Sequence, residues 1–382
     1  MKRLVVLAPN WLGDAVMALP AIADVRRASP HTEMTVAARP SIAPLFTLVS
    51  EVDRRLVIDT HLAARGESPA SHRGRRGAPP TRRDDREYRE YLREEQRSQR
   101  GCIAGRMQAD FYHGLLNLRE TASELANQRF DTALLLPNSM RAALVVALAG
   151  ISERWGYRAN LRGTLLTRAI ARPSGLHQTE YYQQLVHALG FPNGPMEPRI
   201  SLSPSLRATA AALLQDAGWD GRAPLVALAP GAAYGAAKRW PPERFAALAA
   251  SLAADGVQSV MIGAAADRLT ADEVLCAFQS PSLLTLVGRT DLPTLAGVLA
   301  TCRALVTNDS GAMHLAAAAG TSVTAVFGPT DERATRPLGD AHQVVTFPVW
   351  CRPCMLRECP LDHRCLRGVD AAAVAAAARR TL

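Results

Sequence analysis

Residues 304–327 read as strand, polar turn, alanine-rich helix and second strand. The apolar run Ala304–Thr307 ends at Asn308-Asp309-Ser310-Gly311, a string of side chains suited to capping a helix. The helix built from Ala312–Ala319 stops at Gly320, after which Thr321–Phe327 turns apolar again. Two strands joined through a covering helix run parallel in one sheet with a right-handed crossover, so this stretch commits the chain to an open α/β sheet. At the carboxyl edge of such a sheet a helix N-terminus presents free N–H groups and the positive end of its dipole, which favour a phosphate or pyrophosphate. His314 lies one turn on from Ser310, on the same helix face. The same residues also describe an ordinary capped turn with a satisfied histidine, and the local pattern does not choose between the two.

The grammar recurs along the chain. Arg3–Ala8 is a continuous apolar strand, Ala15–Ala28 has helical periodicity, and Pro9-Asn10-Trp11-Leu12-Gly13-Asp14 is the turn between them. Asp14 there is either a helix cap or a carboxylate held at the ligand edge. Strands at Met34–Ala37 and Arg55–Ile58 follow, then a helix near Asp110–Gln128, a strand at Thr132–Leu136, the turn Pro137-Asn138-Ser139 and a helix at Met140–Ala149. After the helix Glu180–Leu189, a proline-punctuated run sets a domain boundary near residues 190–205. The second half repeats the order: strand Leu225–Ala229, helix Pro242–Ala254, strand Val257–Ile262, helix Thr270–Gln279, strand Leu283–Val287, helix Leu292–Ala300, and a closing helix over Asp370–Leu382. A chain of 382 residues is long for one core. The expected fold is α/β, with two Rossmann-like doubly wound domains, 1–190 and 205–382, facing a central cleft.

The net charge of +9 suggests nucleic acid until it is located. Residues 61–106 hold twelve Arg against seven acidic residues and so carry +5 of it, in an Arg-, Gly- and Pro-rich sequence that cannot bury a core. Residues 63–105 are therefore expected to form a disordered basic insertion, with a transient helix at Tyr88–Arg97, serving as a solvated linker or as an arm toward anionic lipid. Aromatic residues at 5%, without basic interleaving, offer no stacking platform for single strands. The longest apolar runs, such as Ala142–Ala149, fall far short of the roughly 18 to 20 residues a spanning helix needs. Pro9, Asn10, Gly13 and Asp14 interrupt the apolar start where a signal peptide would continue, so a cytoplasmic protein is expected.

Three further stretches carry chemistry. Pro230-Gly231 through Lys238-Arg239-Trp240-Pro241 is a permissive loop after a strand, with a lysine placed for a diphosphate, but its spacing is not that of a Walker loop. Arg154, Arg158 and Arg162, with Arg141, offer planar forks for carboxylate or phosphate, or else decorate a solvated edge strand. Cys351, Cys354, Cys359 and Cys365 crowd together as a candidate structural cluster; a metal site, a redox pair and inert thiols all remain open. Gly263-Ala264-Ala265-Ala266 lacks the later glycines of a dinucleotide fingerprint, and no Asp-x-Asp pair stands at a strand end to hold a divalent ion.

Taken together, Asn10-Trp11-Leu12-Gly13-Asp14, Leu136-Pro137-Asn138-Ser139, the loop from Pro230 to Pro241 and Thr307-Asn308-Asp309-Ser310-Gly311-Ala312-Met313-His314 resemble the lipopolysaccharide heptosyltransferases of glycosyltransferase family 9, most closely those of type II. The resemblance covers nearly the whole chain except the basic insertion. It implies a GT-B architecture, ADP-L-glycero-β-D-manno-heptose as donor with no cofactor required, and heptosyl-Kdo₂-lipid A as acceptor, reached by peripheral contact with the cytoplasmic face of the inner membrane. By position in the motifs it implies Asp14 as catalytic base, and Lys238, Thr290, Asp309, Ser310, Gly311 and His314 as donor-binding residues. Asn10, Gly13, Asn138, Arg141, Arg154 and Arg158 then fall on the acceptor side. Transfer to Kdo in the manner of a type I enzyme, a nucleotide-sugar epimerase of the same fold and a non-catalytic sugar-nucleotide binder are the alternatives.

Overall fold

The structure, a computed structural model, describes residues 1–58, 115–278 and 282–382. Two parallel six-stranded sheets organise it. The first comprises β1 (Arg3–Leu7), β2 (Glu33–Ala38), β3 (Arg54–Val57), β4 (Thr132–Leu135), β5 (Glu153–Arg158) and β6 (Arg168–Ala171), in the order β3-β2-β1-β4-β5-β6. The second comprises β7 (Leu225–Ala229), β8 (Gln258–Met261), β9 (Leu283–Thr285), β10 (Ala304–Asn308), β11 (Ser322–Phe327) and β12 (Gln343–Thr346), in the order β12-β11-β10-β7-β8-β9. Both are the same doubly wound arrangement, with the strand order reversing between β1 and β4 and between β7 and β10. The central strands read as unbroken apolar runs because helices cover both faces; all five residues of β7 and of β10 are buried.

The helices relevant below are α1 (Leu12–Met17), α2 (Leu19–Ala28), α3 (115–127), α4 (Met140–Leu148), α5 (Gln178–Ala188), α6 (Pro204–Asp216), α7 (Pro242–Ala254), α8 (Arg268–Phe278), α9 (Leu292–Thr301), α10 (Gly311–Ala318), α11 (Glu332–Thr335), α12 (Arg364–Arg367) and α13 (Ala371–Arg379). One apolar cluster runs from Val16, Ile22 and Leu185 on the first sheet's helices to Leu299, Leu315 and Ala316 on the second's, so the two halves share packing.

Several expectations change in detail. The helix read as continuous over residues 15–28 is two, α1 and α2, with Pro20 in the opening turn of the second, where its missing amide is tolerated. The stretch Arg154–Arg158 is not an edge strand: β5 lies between β4 and β6 and buries Trp155 and Tyr157. The edge is β6, whose short half-buried sequence has no apolar run to announce it. The basic insertion with its helix at 88–97, and Cys102, lie outside the described residues. Among the described residues no helix is long and apolar enough to cross a membrane.

Candidate active site

The carboxyl edges of β1, β7, β8 and β10 open onto a cleft of about 760 Å³ between the two sheets. It brings together Gly13 and Asp14 from the first half with Lys238, Thr290, Asp309, Ser310, Gly311 and His314 from the second. The two halves meet through helix starts. A Cβ added to Gly13 would stand 2.9 Å from His314 Cδ2, and one added to Gly311 would stand 2.9 Å from Leu12 Cβ, so each glycine exists to let α1 and α10 approach.

Asp14 does not cap its helix. The N-cap position of α1 is Trp11, which leaves Asp14 at the third helical residue, half-buried and facing the cleft. Burial pushes its carboxyl up to about 6, against the pull of Lys238 and with the repulsion of Asp309. His314 is buried, and that burial pushes its imidazole down to about 4, so at neutral pH it carries no charge. At neutral pH an uncharged imidazole ring thus packs against Gly13.

Lys238 Nζ donates to Asp309 Oδ2 at 2.6 Å, and Thr330 Oγ1 donates to the same oxygen at 2.7 Å. All three groups are nearly buried, which holds the ammonium on the cleft wall. Asn308 was legible only as a capping type. Its carboxamide in fact accepts the Trp240 N–H at 2.9 Å and donates to Pro230 O at 2.7 Å, clamping the turn after β7 to the end of β10. At the start of α10 the N-cap Ser310 makes no capping bond; its hydroxyl pairs with Thr307 Oγ1 at 3.1 Å, and Ser310, Gly311 and Ala312 line the cleft. Thr290 lines the opposite end with Leu292 and Ala264. Asp267 also lies there, accepting the Ala264 N–H at 2.9 Å, and a Cβ on Gly231 would stand 2.2 Å from its Oδ1. The sequence singles out neither Thr330 nor Asp267: Asp267 reads only as the cap of the turn after Gly263, and Thr330 reaches Asp309 only because β11 lies beside β10.

The acceptor-side expectations divide. Asn10, Asn138, Arg141 and Arg158 stand at the carboxyl edge of the first sheet, beside the cleft rather than lining it. Asn138 donates to Tyr181 Oη at 2.7 Å and accepts from Arg162, which is itself fully buried and bonded to the carbonyls of Tyr157 and Pro137. Arg154 is not brought to that edge. It starts β5 at the opposite end of the sheet, where its guanidinium donates to Leu165 O at 2.6 Å and Ile151 O at 2.6 Å and staples the β5–β6 connection. An acceptor role for Arg154 is thereby corrected: the strand's direction carries it away from the cleft.

The thiols of Cys351, Cys354, Cys359 and Cys365 are free. Burial, followed by the charges of the other three, pushes the Cys365 thiol up. Among the described residues no three His, Cys, Asp or Glu side chains are grouped to hold a metal ion.

With this geometry in view, the model of glycosyltransferase family 9 (heptosyltransferase) matches residues 118–364. The chain belongs to glycosyltransferase family 9. The matched span of this family 9 chain holds Lys238, Thr290 and Asp309–His314, whereas the turn of Asp14 precedes it. Lipopolysaccharide heptosyltransferase 2 of Salmonella typhimurium and that of Escherichia coli are each 34% identical over 245 residues, covering 61% of this chain and 70% of theirs. Lipooligosaccharide heptosyltransferase 2 of Haemophilus ducreyi is 26% identical over 356 residues, 90% of this chain and 88% of that one. The solved structure of E. coli ADP-heptose lps heptosyltransferase II matches with a TM-score of 0.75 at 25% identity, over 100% of this chain and 98% of the other.

Proposed function

We propose that this family 9 chain transfers L-glycero-D-manno-heptose from ADP-heptose to the first heptose of a Kdo-lipid A inner core, in a single inverting displacement. The observation that carries the reading is the cleft itself, where a carboxylate with a raised pKa faces a lysine and a helix N-terminus across the two halves. Asp14, ionised above pH about 6, takes the proton of the acceptor hydroxyl as that oxygen attacks the anomeric carbon. The bond from that carbon to the diphosphate breaks on the opposite face, and ADP leaves. Charge building on the diphosphate meets Lys238 and the first-turn amides of α10. The adenosine end lies toward Thr290 and Leu292, with the Asp267 carboxylate placed to accept from a ribose hydroxyl. Arg158, exposed at the edge of the first sheet, faces the anionic sugars of the acceptor, whereas Arg141 is buried and donates to Asn117 Oδ1. That acceptor is lipid-borne, so the chain works as a peripheral protein at the cytoplasmic face of the inner membrane.

Incubation with ADP-heptose and heptosyl-Kdo₂-lipid A, read by mass spectrometry, should show the acceptor gaining one heptose and ADP release that depends on added acceptor. An epimerised sugar nucleotide without transfer would overturn the reading, and transfer to Kdo₂-lipid A alone would reassign it to the type I reaction. The close packing of α1 on α10 supplies a separate expectation. Gly13→Ala drives a methyl group into the His314 ring and displaces Asp14, so kcat should fall about 10- to 100-fold while ADP affinity stays within about threefold. Steady-state kinetics and calorimetry on the purified variant check both halves of that statement.

A further inference from the structure

Residues 351–359 cross the donor side of the cleft, which Met355 lines. The Met355 amide donates at 2.9 Å to the carbonyl of Pro329, in the turn after β11. From the turn after β7, Tyr234 Oη donates to Met355 O at 2.8 Å and the Ala237 amide to Arg357 O at 3.0 Å. Since β10 lies between β11 and β7, a segment fastened to those two outer turns passes over the turn between them, Asn308–Gly311. Arg352 anchors its start, donating to Gly328 O at 2.9 Å and to Glu332 at 2.8 Å. Gly235 shows how closely the backbones lie: its φ is 154°, and an added Cβ would stand 2.3 Å from Arg357 O.

One side chain links this strap to the charge that meets the diphosphate. Lys238 Nζ stands 4.5 Å from the centroid of the Tyr234 ring, and the Arg357 guanidinium carbon 5.2 Å from the same centroid. The ammonium thus has the Asp309 carboxylate and an aromatic face as its two restraints, while a second cation on that ring adds to the positive potential over the site. A lysine so confined loses less rotamer freedom when an anion arrives than one on an open surface.

We infer that residues 352–357 form the roof of the donor site and that Tyr234 is a positioning residue, holding the strap by its hydroxyl and Lys238 by its ring. The inference rests on the functional reading above. Tyr234→Ala should weaken ADP binding about tenfold and raise the KM for ADP-heptose in parallel, with the acceptor KM unchanged. Tyr234→Phe, which keeps the ring and loses only the bond to Met355, should recover most of that loss. Gly235→Ala, which drives a methyl group into Arg357 O and so lifts the strap, should weaken ADP by a similar factor. Calorimetry with ADP, two-substrate kinetics and a thermal melt on the full chain make the test. Wild-type ADP affinity in both Tyr234→Ala and Gly235→Ala would overturn the strap, as would equal increases in the two KM values together with a large fall in Tm, which would mark a purely structural role. If the wild-type chain itself binds no ADP, the functional reading fails and the strap falls with it; if it binds ADP and the variants match it, only the strap falls.

Discussion

Asp14→Asn is expected to lower the transfer rate by about 10² to 10⁴ while ADP affinity stays within about threefold, because the amide keeps the shape of the carboxyl and removes only its capacity to take a proton. The wild-type pH profile supplies a second measurement. Burial raises the Asp14 carboxyl from its usual range to about 6, so kcat/KM should fall as pH drops through about 6, where the base becomes protonated. The sign for stability is the reverse of that for activity. A carboxyl raised in the folded state binds its proton more tightly there than in the unfolded chain, so ionising Asp14 destabilises the fold as pH rises from the unfolded value of 3.8 through about 6. Asp14→Asn should therefore leave Tm at pH 8 unchanged or raised, so that lost activity cannot be attributed to lost folding. Near wild-type kcat in the variant would remove Asp14 from the chemistry.

Lys238→Ala should weaken ADP by about ten- to a hundredfold, since a charge-assisted contact to phosphate contributes roughly 1.5–3 kcal/mol. The loss in kcat/KM should be larger, because charge on the diphosphate grows as it leaves. Two further consequences follow from the bond to Asp309. With its lysine gone the nearly buried Asp309 carboxylate keeps only Thr330 of these two donors, and breaking a buried pair from one side costs about 3 kcal/mol, so Tm should fall. Adding Asp309→Asn should restore much of the Tm and none of the affinity. The acid limb of the pH profile should also move upward in Lys238→Ala, because the lysine's charge holds the Asp14 carboxyl down. Unchanged ADP affinity would place the diphosphate elsewhere in the cleft.

Much of this architecture is local and could be read from the chain. Apolar runs such as Arg3–Leu7 and Ala304–Asn308, the polar turn ahead of α10 and the glycine after it mark strand, turn and helix through neighbours a few residues apart, although that turn's side chains bond elsewhere than to the helix amides. Their repetition fixed the doubly wound class, and that class placed Asp14, Lys238 and Asp309–His314 at ligand edges. What the residues do there depended on partners that no local pattern names. Lys238 meets Asp309 across 71 residues because β10 lies beside β7 in the sheet, and Gly13 meets His314 because α1 packs on α10. His314 is neutral, and Asp14 poised near pH 6, because desolvation is a property of the packed interior and not of the sequence around either residue. Arg154 and Arg158 are four residues apart on one strand, yet a strand has two ends, and only the sheet's direction decides which arginine stands at the carboxyl edge, beside the cleft, and which staples the far end.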